Sequence, residues 1–129
     1  MLLNQKTSEA IKRKLFYFGD FLFEKIYRLE LSGVILNKDL ISNNLISLSH
    51  ATAYHAVWCR NLRELFDEAK KTGYVFENFI DIGSGKGKAC FYAHTLGLFN
   101  SIIGIEFSEP LLKIANLNNE KFKSRKSNL

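Results

Sequence analysis

The stretch from residue 79 to residue 107 constrains the fold most, because it places a strand, a glycine loop, a helix and a second strand in one short run. Phe79, Ile80 and Ile82 form an apolar segment of the kind found in buried parallel strands. The helical stretch begins near residue 87 or 88, and a second apolar segment follows at 102–107. The pattern therefore predicts a βαβ unit with two parallel strands.

The loop of this unit reads Asp-x-Gly-x-Gly-x-Gly and contains Gly83, Gly85 and Gly87. A loop that turns sharply from strand to helix, with its backbone against a ligand, requires positive φ and no Cβ. Asp81 stands at the end of the first strand and Glu106 at the end of the second. A carboxylate in the second position can accept both hydroxyls of a ribose, so the pattern predicts a nucleoside site.

Two other glycine motifs do not fit this loop. A Walker A loop requires Ser or Thr where Ala89 stands, and glycine where Ile82 stands. The dinucleotide fingerprint requires its third glycine at the position of Lys88. A turn without a ligand is a further alternative, but a turn gives no reason for an acid at each strand end.

The glycine loop that Asp81 opens, together with Glu106 at the end of the second strand, resembles motif I and the following acidic position of class I S-adenosylmethionine-dependent methyltransferases. The segment Leu31–Ile35, Tyr54 and the run GIEFSEPLLKIANLN at 104–118 are similar to landmarks of a bacterial group of small methyltransferases. That group has the pattern F-x-D-x-G-S-G-K-G-[RK]. The resemblance covers roughly residues 29–118, and it implies a Rossmann-like fold.

The resemblance also implies which residues hold S-adenosyl-L-methionine. Glu106 is expected to bind the ribose, and Phe107 to lie beside the adenine. Asp81 is expected to act on the amino group or on a bridging water. The methionine portion would be wrapped by the loop residues Gly83, Ser84, Gly85 and Gly87.

Tyr54 and the two loop lysines each have an alternative role. By resemblance, Tyr54 comes from the preceding helix toward the cofactor, although Ala56 replaces the proline expected two residues later. Tyr54 also fits an apolar face of a helix predicted over 51–72, together with Trp58, Leu62, Leu65, Phe66 and Ala69, which indicates a core role. Lys86 and Lys88 would contact the cofactor carboxylate or be solvated, and we favour solvation.

The expected fold class is α/β: a partial Rossmann-like βαβ unit with parallel strands, preceded by an N-terminal helical region. Residues 1–49 are expected to form the helical segment and a loop, and 50–129 the N-terminal half of a methyltransferase domain. A complete domain of this family has seven strands, whereas 129 residues leave room for two after residue 74. We therefore expect a truncated protein, inactive alone, whose catalytic residues and methyl acceptor stay unassigned.

The N-terminal region predicts a helix over 7–29. Asp20 interrupts its apolar run, which is shorter than the ~20 residues that a membrane span requires. The helix either packs against protein or lies on a membrane with Lys6, Lys12, Arg13 and Lys14 facing lipid phosphates. Its apolar positions are Ile11, Leu15, Phe18, Leu22, Ile26 and Leu29.

Composition favours a cytoplasmic protein without a metal. Cys59 and Cys90 form no Cys-x-x-Cys pair, and the histidines lack ligand spacing. The net charge is +5, and its clearest cluster is the tail with Lys121, Lys123, Arg125 and Lys126. These residues suit either nucleic acid or the end of a helix, and we favour the helix.

The function predicted from the sequence is thus an S-adenosylmethionine-dependent methyltransferase of unknown substrate. The alternative is a non-catalytic module that binds a cofactor, a protein or a nucleic acid. The unpaired edge of the first strand also predicts self-association.

Overall fold

The computed structural model describes residues 2–127, which form five α-helices and two small sheets. The helices are α1 (Leu2–Tyr27), α2 (Leu45–Ser49), α3 (Cys59–Lys71), α4 (Lys88–Leu96) and α5 (Glu109–Lys126). The strands are β1 (Val34–Ile35), β2 (Tyr54–His55), β3 (Asn78–Ile82) and β4 (Ser101–Ile105), and a 3-10 turn covers Asn37–Asp39. The chain therefore mixes helix and strand, with an N-terminal helix as predicted.

Strands β3 and β4 pair in parallel, with Asn78 opposite Ser101 and Ile82 opposite Ile105. Helix α4 connects them, so the predicted strand–loop–helix–strand order and the parallel pairing are confirmed. The second sheet is a short antiparallel pair in which Ile35 lies opposite Tyr54.

The helix predicted over 51–72 is wrong in its first part, because Tyr54 and His55 form β2 and α3 begins only at Cys59. Pairing with β1 keeps this segment extended. The N–H of Cys59 donates to Asp20 Oδ1 at 2.9 Å, which caps the start of α3 from a distant helix. Leu65, which was assigned to the buried face, is 57% exposed.

Helices α3 and α4 cover one face of the β3–β4 sheet. The rings of Phe66, Phe79 and Phe99 pack against one another, with all three centroid distances between 5.4 and 5.5 Å. A second core joins the end of α1 to α4 and α5 through Tyr27, Phe91 and Phe122. The first core contains Cys59, Leu62, Phe66, Ala89, Tyr92 and Ala93.

The opposite face of this sheet is apolar and exposed. Ile80 is paired with Ile103 and Ile82 with Ile105, so all four side chains lie on one face. Their exposed fractions are 55%, 47%, 82% and 52%, respectively. Exposed apolar surface of this kind supports self-association, which stays a prediction.

Candidate functional site

The glycine loop connects β3 to α4 through three residues in the left-handed region. The φ angles of Gly83, Gly85 and Gly87 are +80°, +55° and +89°. The N–H groups of Gly83 and Ser84 donate to Ile105 O at 2.8 and 3.0 Å, which ties the loop to the end of β4. Glycine is needed here because side chains strain this backbone conformation.

Two of these glycines are also packed against aromatic rings. A Cβ at Gly85 would overlap the Tyr54 ring, and a Cβ at Gly87 would lie 2.8 Å from Phe91 Cε2. At these two positions the backbone therefore lies closer to the aromatic rings than a residue with a Cβ allows.

Glu106 follows β4, and its two carboxylate oxygens bind two backbone N–H groups, one in the loop and one at the start of α5. Its Oε2 accepts the N–H of Gly85 at 2.7 Å, and its Oε1 accepts the N–H of Ser108 at 2.8 Å. A carboxylate has about four acceptor sites, so two remain for the hydroxyls of a ligand. The protein thus fixes the orientation of Glu106 without using its full capacity to bind.

Asp81 is half-buried near the end of β3 and forms the second acid of the site. Burial raises the pKa of its carboxyl, and the Glu106 carboxylate raises it further. Two acids in one partly enclosed space favour a positively charged ligand, because a cation relieves their repulsion.

A cleft of about 540 Å³ opens beside the loop, which is within the usual size range of small-molecule sites. Gly85 and Gly87 are buried in the loop and do not line the cleft. His55 and Leu111 line it without having been predicted as site residues, and Lys88 lines it although solvation was favoured over a cofactor contact. The predicted residues that it brings together are Tyr54, Asp81, Gly83, Ser84, Glu106 and Phe107.

Tyr54 reaches this cleft from strand β2 and not from a helix, which corrects the prediction. Its hydroxyl donates to Leu31 O at 2.7 Å, and its ring packs on Gly85. Burial raises the pKa of the phenol well above its ordinary value. Tyr54 is therefore a neutral residue that supports the loop and also lines the cleft.

The expectation that the loop lysines are solvated is wrong, because Lys86 and Lys88 are only 5% and 3% exposed. Lys86 Nζ donates to Ser32 O at 2.8 Å and lies 3.3 Å from Glu30 Oε1. Lys88 Nζ pairs with Asp20 Oδ2. The lysines thus attach the loop and α4 to the N-terminal region.

Asn118 in α5 completes this attachment, a role that was not predicted from the sequence. It is fully buried; Glu30 N donates to its Oδ1 at 2.9 Å. Its Nδ2 donates to Glu30 O at 2.9 Å and to Lys86 O at 3.2 Å. Asn118 lies on the same helix face as buried Leu111 and Phe122, and a polar residue in an apolar stripe is the signal that indicates such a role.

The start of α5 is held by a main-chain contact and not by a side-chain cap. Ser108 occupies the N-cap position, but its side chain makes no capping bond. Its main-chain N–H binds Glu106 instead, and its buried Oγ contacts no hydrogen-bond partner within residues 2–127.

The basic tail makes contacts within the chain. Arg125 Nε donates to Ile26 O at 3.1 Å, and Lys126 Nζ lies 3.0 Å from His94 Nδ1. Lys123, Arg125 and Lys126 lie in the last turn of α5, where basic side chains suit the helix dipole.

A metal centre is not formed by the described part of the chain, where no three His, Cys, Asp or Glu side chains lie close enough to share an ion. Comparison with known protein families, curated proteins and solved structures finds no match for this chain.

Proposed function

We propose that the chain binds S-adenosyl-L-methionine in the cleft beside the glycine loop and belongs to a Rossmann-like methyltransferase of unknown acceptor. The observation that carries this proposal is the joint placement of Asp81 and Glu106 around a loop of three positive-φ glycines. A turn without a ligand gives no reason for this arrangement.

The residues present fit the cofactor in three respects. The two acceptor sites left on Glu106 match the vicinal hydroxyls of the ribose. Phe107, half-buried beside Glu106, offers an apolar surface to the adenine. Asp81 would pair with the amino group, while the backbone of Gly83 and Ser84, with Gly85 and Gly87 behind them, would follow the methionine portion.

The sulfonium supplies an already activated methyl group, so the protein chiefly has to align the acceptor with it. We assign no catalytic residue, because the acceptor and its target atom are unknown. A non-catalytic cofactor-binding module is the alternative, and it predicts the same binding without methyl transfer.

The raised pKa of Asp81 predicts a pH-dependent affinity. Below this pKa the carboxyl is protonated and loses its attraction for a cation, so S-adenosylmethionine should bind more tightly as pH rises above the ordinary value of 3.8. We expect calorimetry on the full chain to show an increase of about threefold to tenfold. Asp81→Asn should bind more weakly, without this increase.

The control ligand is NAD, whose pyrophosphate would be repelled by the two acids. Tighter binding of NAD than of S-adenosylmethionine would reject the proposed family. An equal pH dependence in wild type and Asp81→Asn would remove Asp81 from the site.

A further inference from the structure

Helix α1 has apolar side chains on two separate faces, of which the protein core uses only one. The inner face includes Phe23 and Tyr27, which pack against Tyr92 and Phe122 with ring centroids 5.7 and 4.9 Å apart. Asp20 lies on the same side, where it pairs with Lys88. This face attaches α1 to α3, α4 and α5, whereas the apolar side chains of the other face stay exposed.

The second face, which we call the outer stripe, consists of residues spaced by steps of four, three, four and four along α1. This spacing places all of them on one side of a helix. Their exposed fractions lie between 41% and 62%, so the core does not cover them. The outer stripe is formed by Ile11, Leu15, Phe18, Leu22 and Ile26.

Basic residues flank the outer stripe. At about 100° of rotation per residue, Lys14 and Lys25 lie along one margin and Lys12 along the other. All three are exposed, and Lys25 Nζ lies 5.4 Å from the centre of the Phe21 ring.

The acidic residues of α1 lie on the opposite side of the helix. Glu9 pairs with Lys12, Asp20 with Lys88, and Glu24 accepts a hydrogen bond from the Ser32 hydroxyl at 3.0 Å. Lysines at the margin of an apolar face extend their charge toward phosphates while their stems stay in contact with apolar surface.

We propose that the outer stripe binds the surface of an anionic lipid bilayer, with α1 lying in the plane of the interface. The charge of the flanking lysines favours a lipid surface over a second copy of the chain as the partner of the outer stripe. Two copies packed through their outer stripes would bring Lys12, Lys14 and Lys25 of each close to those of the other, whereas lipid phosphates neutralise them. No helix within residues 2–127 is both long and apolar enough to cross the bilayer. This inference is independent of the proposed cofactor.

Vesicle flotation with the full chain tests the proposal. The protein should float with vesicles that contain roughly 30 mol% phosphatidylglycerol and bind much more weakly to pure phosphatidylcholine. Lys14→Gln/Lys25→Gln should lower the partition coefficient by on the order of tenfold. Leu15→Gln/Phe18→Gln should lower the partition coefficient by tenfold or more, because it removes two apolar side chains that would be buried in the bilayer surface.

The matched control is Leu45→Gln/Ile46→Gln, which removes two apolar side chains that are 74% and 77% exposed on α2. This variant should float as wild type does, and circular dichroism should show that every variant is folded. Failure of the folded wild type to bind anionic vesicles would overturn the proposal. A dimer in light scattering that Leu15→Gln/Phe18→Gln abolishes would also overturn it, because it would assign the stripe to a second copy.

Discussion

Replacement of Asp20 by alanine is expected to lower the free energy of unfolding by about 3 to 5 kcal/mol. The Asp20 and Lys88 side chains are only 15% and 4% exposed, so the change leaves a buried ammonium without its partner. It also removes the acceptor for the N–H of Cys59 at the start of α3. One carboxylate therefore stabilises the junction of α1, α3 and α4.

Urea denaturation of wild type and Asp20→Ala measures this loss. The control is Glu68→Ala, which breaks a pair with Lys71 whose side chains are about 70% exposed and should change stability by less than about 1 kcal/mol. Equal effects of the two substitutions would show that burial adds nothing to the Asp20–Lys88 pair.

Replacement of Gly85 by alanine is expected to lower the free energy of unfolding by about 2 to 4 kcal/mol and to abolish cofactor binding. The φ of +55° disfavours any side chain, and the new Cβ would overlap the Tyr54 ring. Relief of that overlap requires movement of the loop or of β2, and both line the cleft.

The variant Gly73→Ala separates backbone strain from steric overlap, because Gly73 has a φ of +74° but a Cβ there meets no atom within 4 Å. Gly73→Ala should cost only the backbone term, about 1 kcal/mol, and should leave cofactor binding unchanged. If Gly85→Ala cost no more than Gly73→Ala in chemical denaturation, the contact with Tyr54 would have no energetic weight.

The elements predicted well from the sequence are those whose signals are local. The apolar run before the glycine loop, the alternating glycines and the second apolar run lie within about thirty residues, and β3, α4 and β4 form where this pattern predicts them. The requirement for positive φ at Gly83, Gly85 and Gly87 follows from the same short segment.

The elements predicted poorly depend on residues far apart in the chain. The apolar spacing from Tyr54 onward is typical of a helix, but the pairing of Tyr54 with Ile35 keeps this segment extended. Lysine is a residue type that is usually exposed, but Lys88 is buried because Asp20 of α1 pairs with it. Asn118 likewise acquires its role from the backbone of Glu30 and Lys86.

Calorimetric titration of the full chain with S-adenosylhomocysteine, comparing wild type with Glu106→Ala, tests the proposed cofactor site most directly. Wild type is expected to bind, and Glu106→Ala to weaken binding by about 1 to 3 kcal/mol, or roughly 5-fold to 150-fold, through the loss of charge-assisted hydrogen bonds. Glu106→Gln removes the charge but keeps one acceptor oxygen for the N–H of Gly85 or of Ser108, so it measures the loss of charge with less disturbance of the fold than Glu106→Ala. Glu120→Ala, an exposed acid on α5, serves as control. Unchanged affinity in a folded Glu106→Ala variant, or no binding by wild type, would contradict the assignment of this cleft.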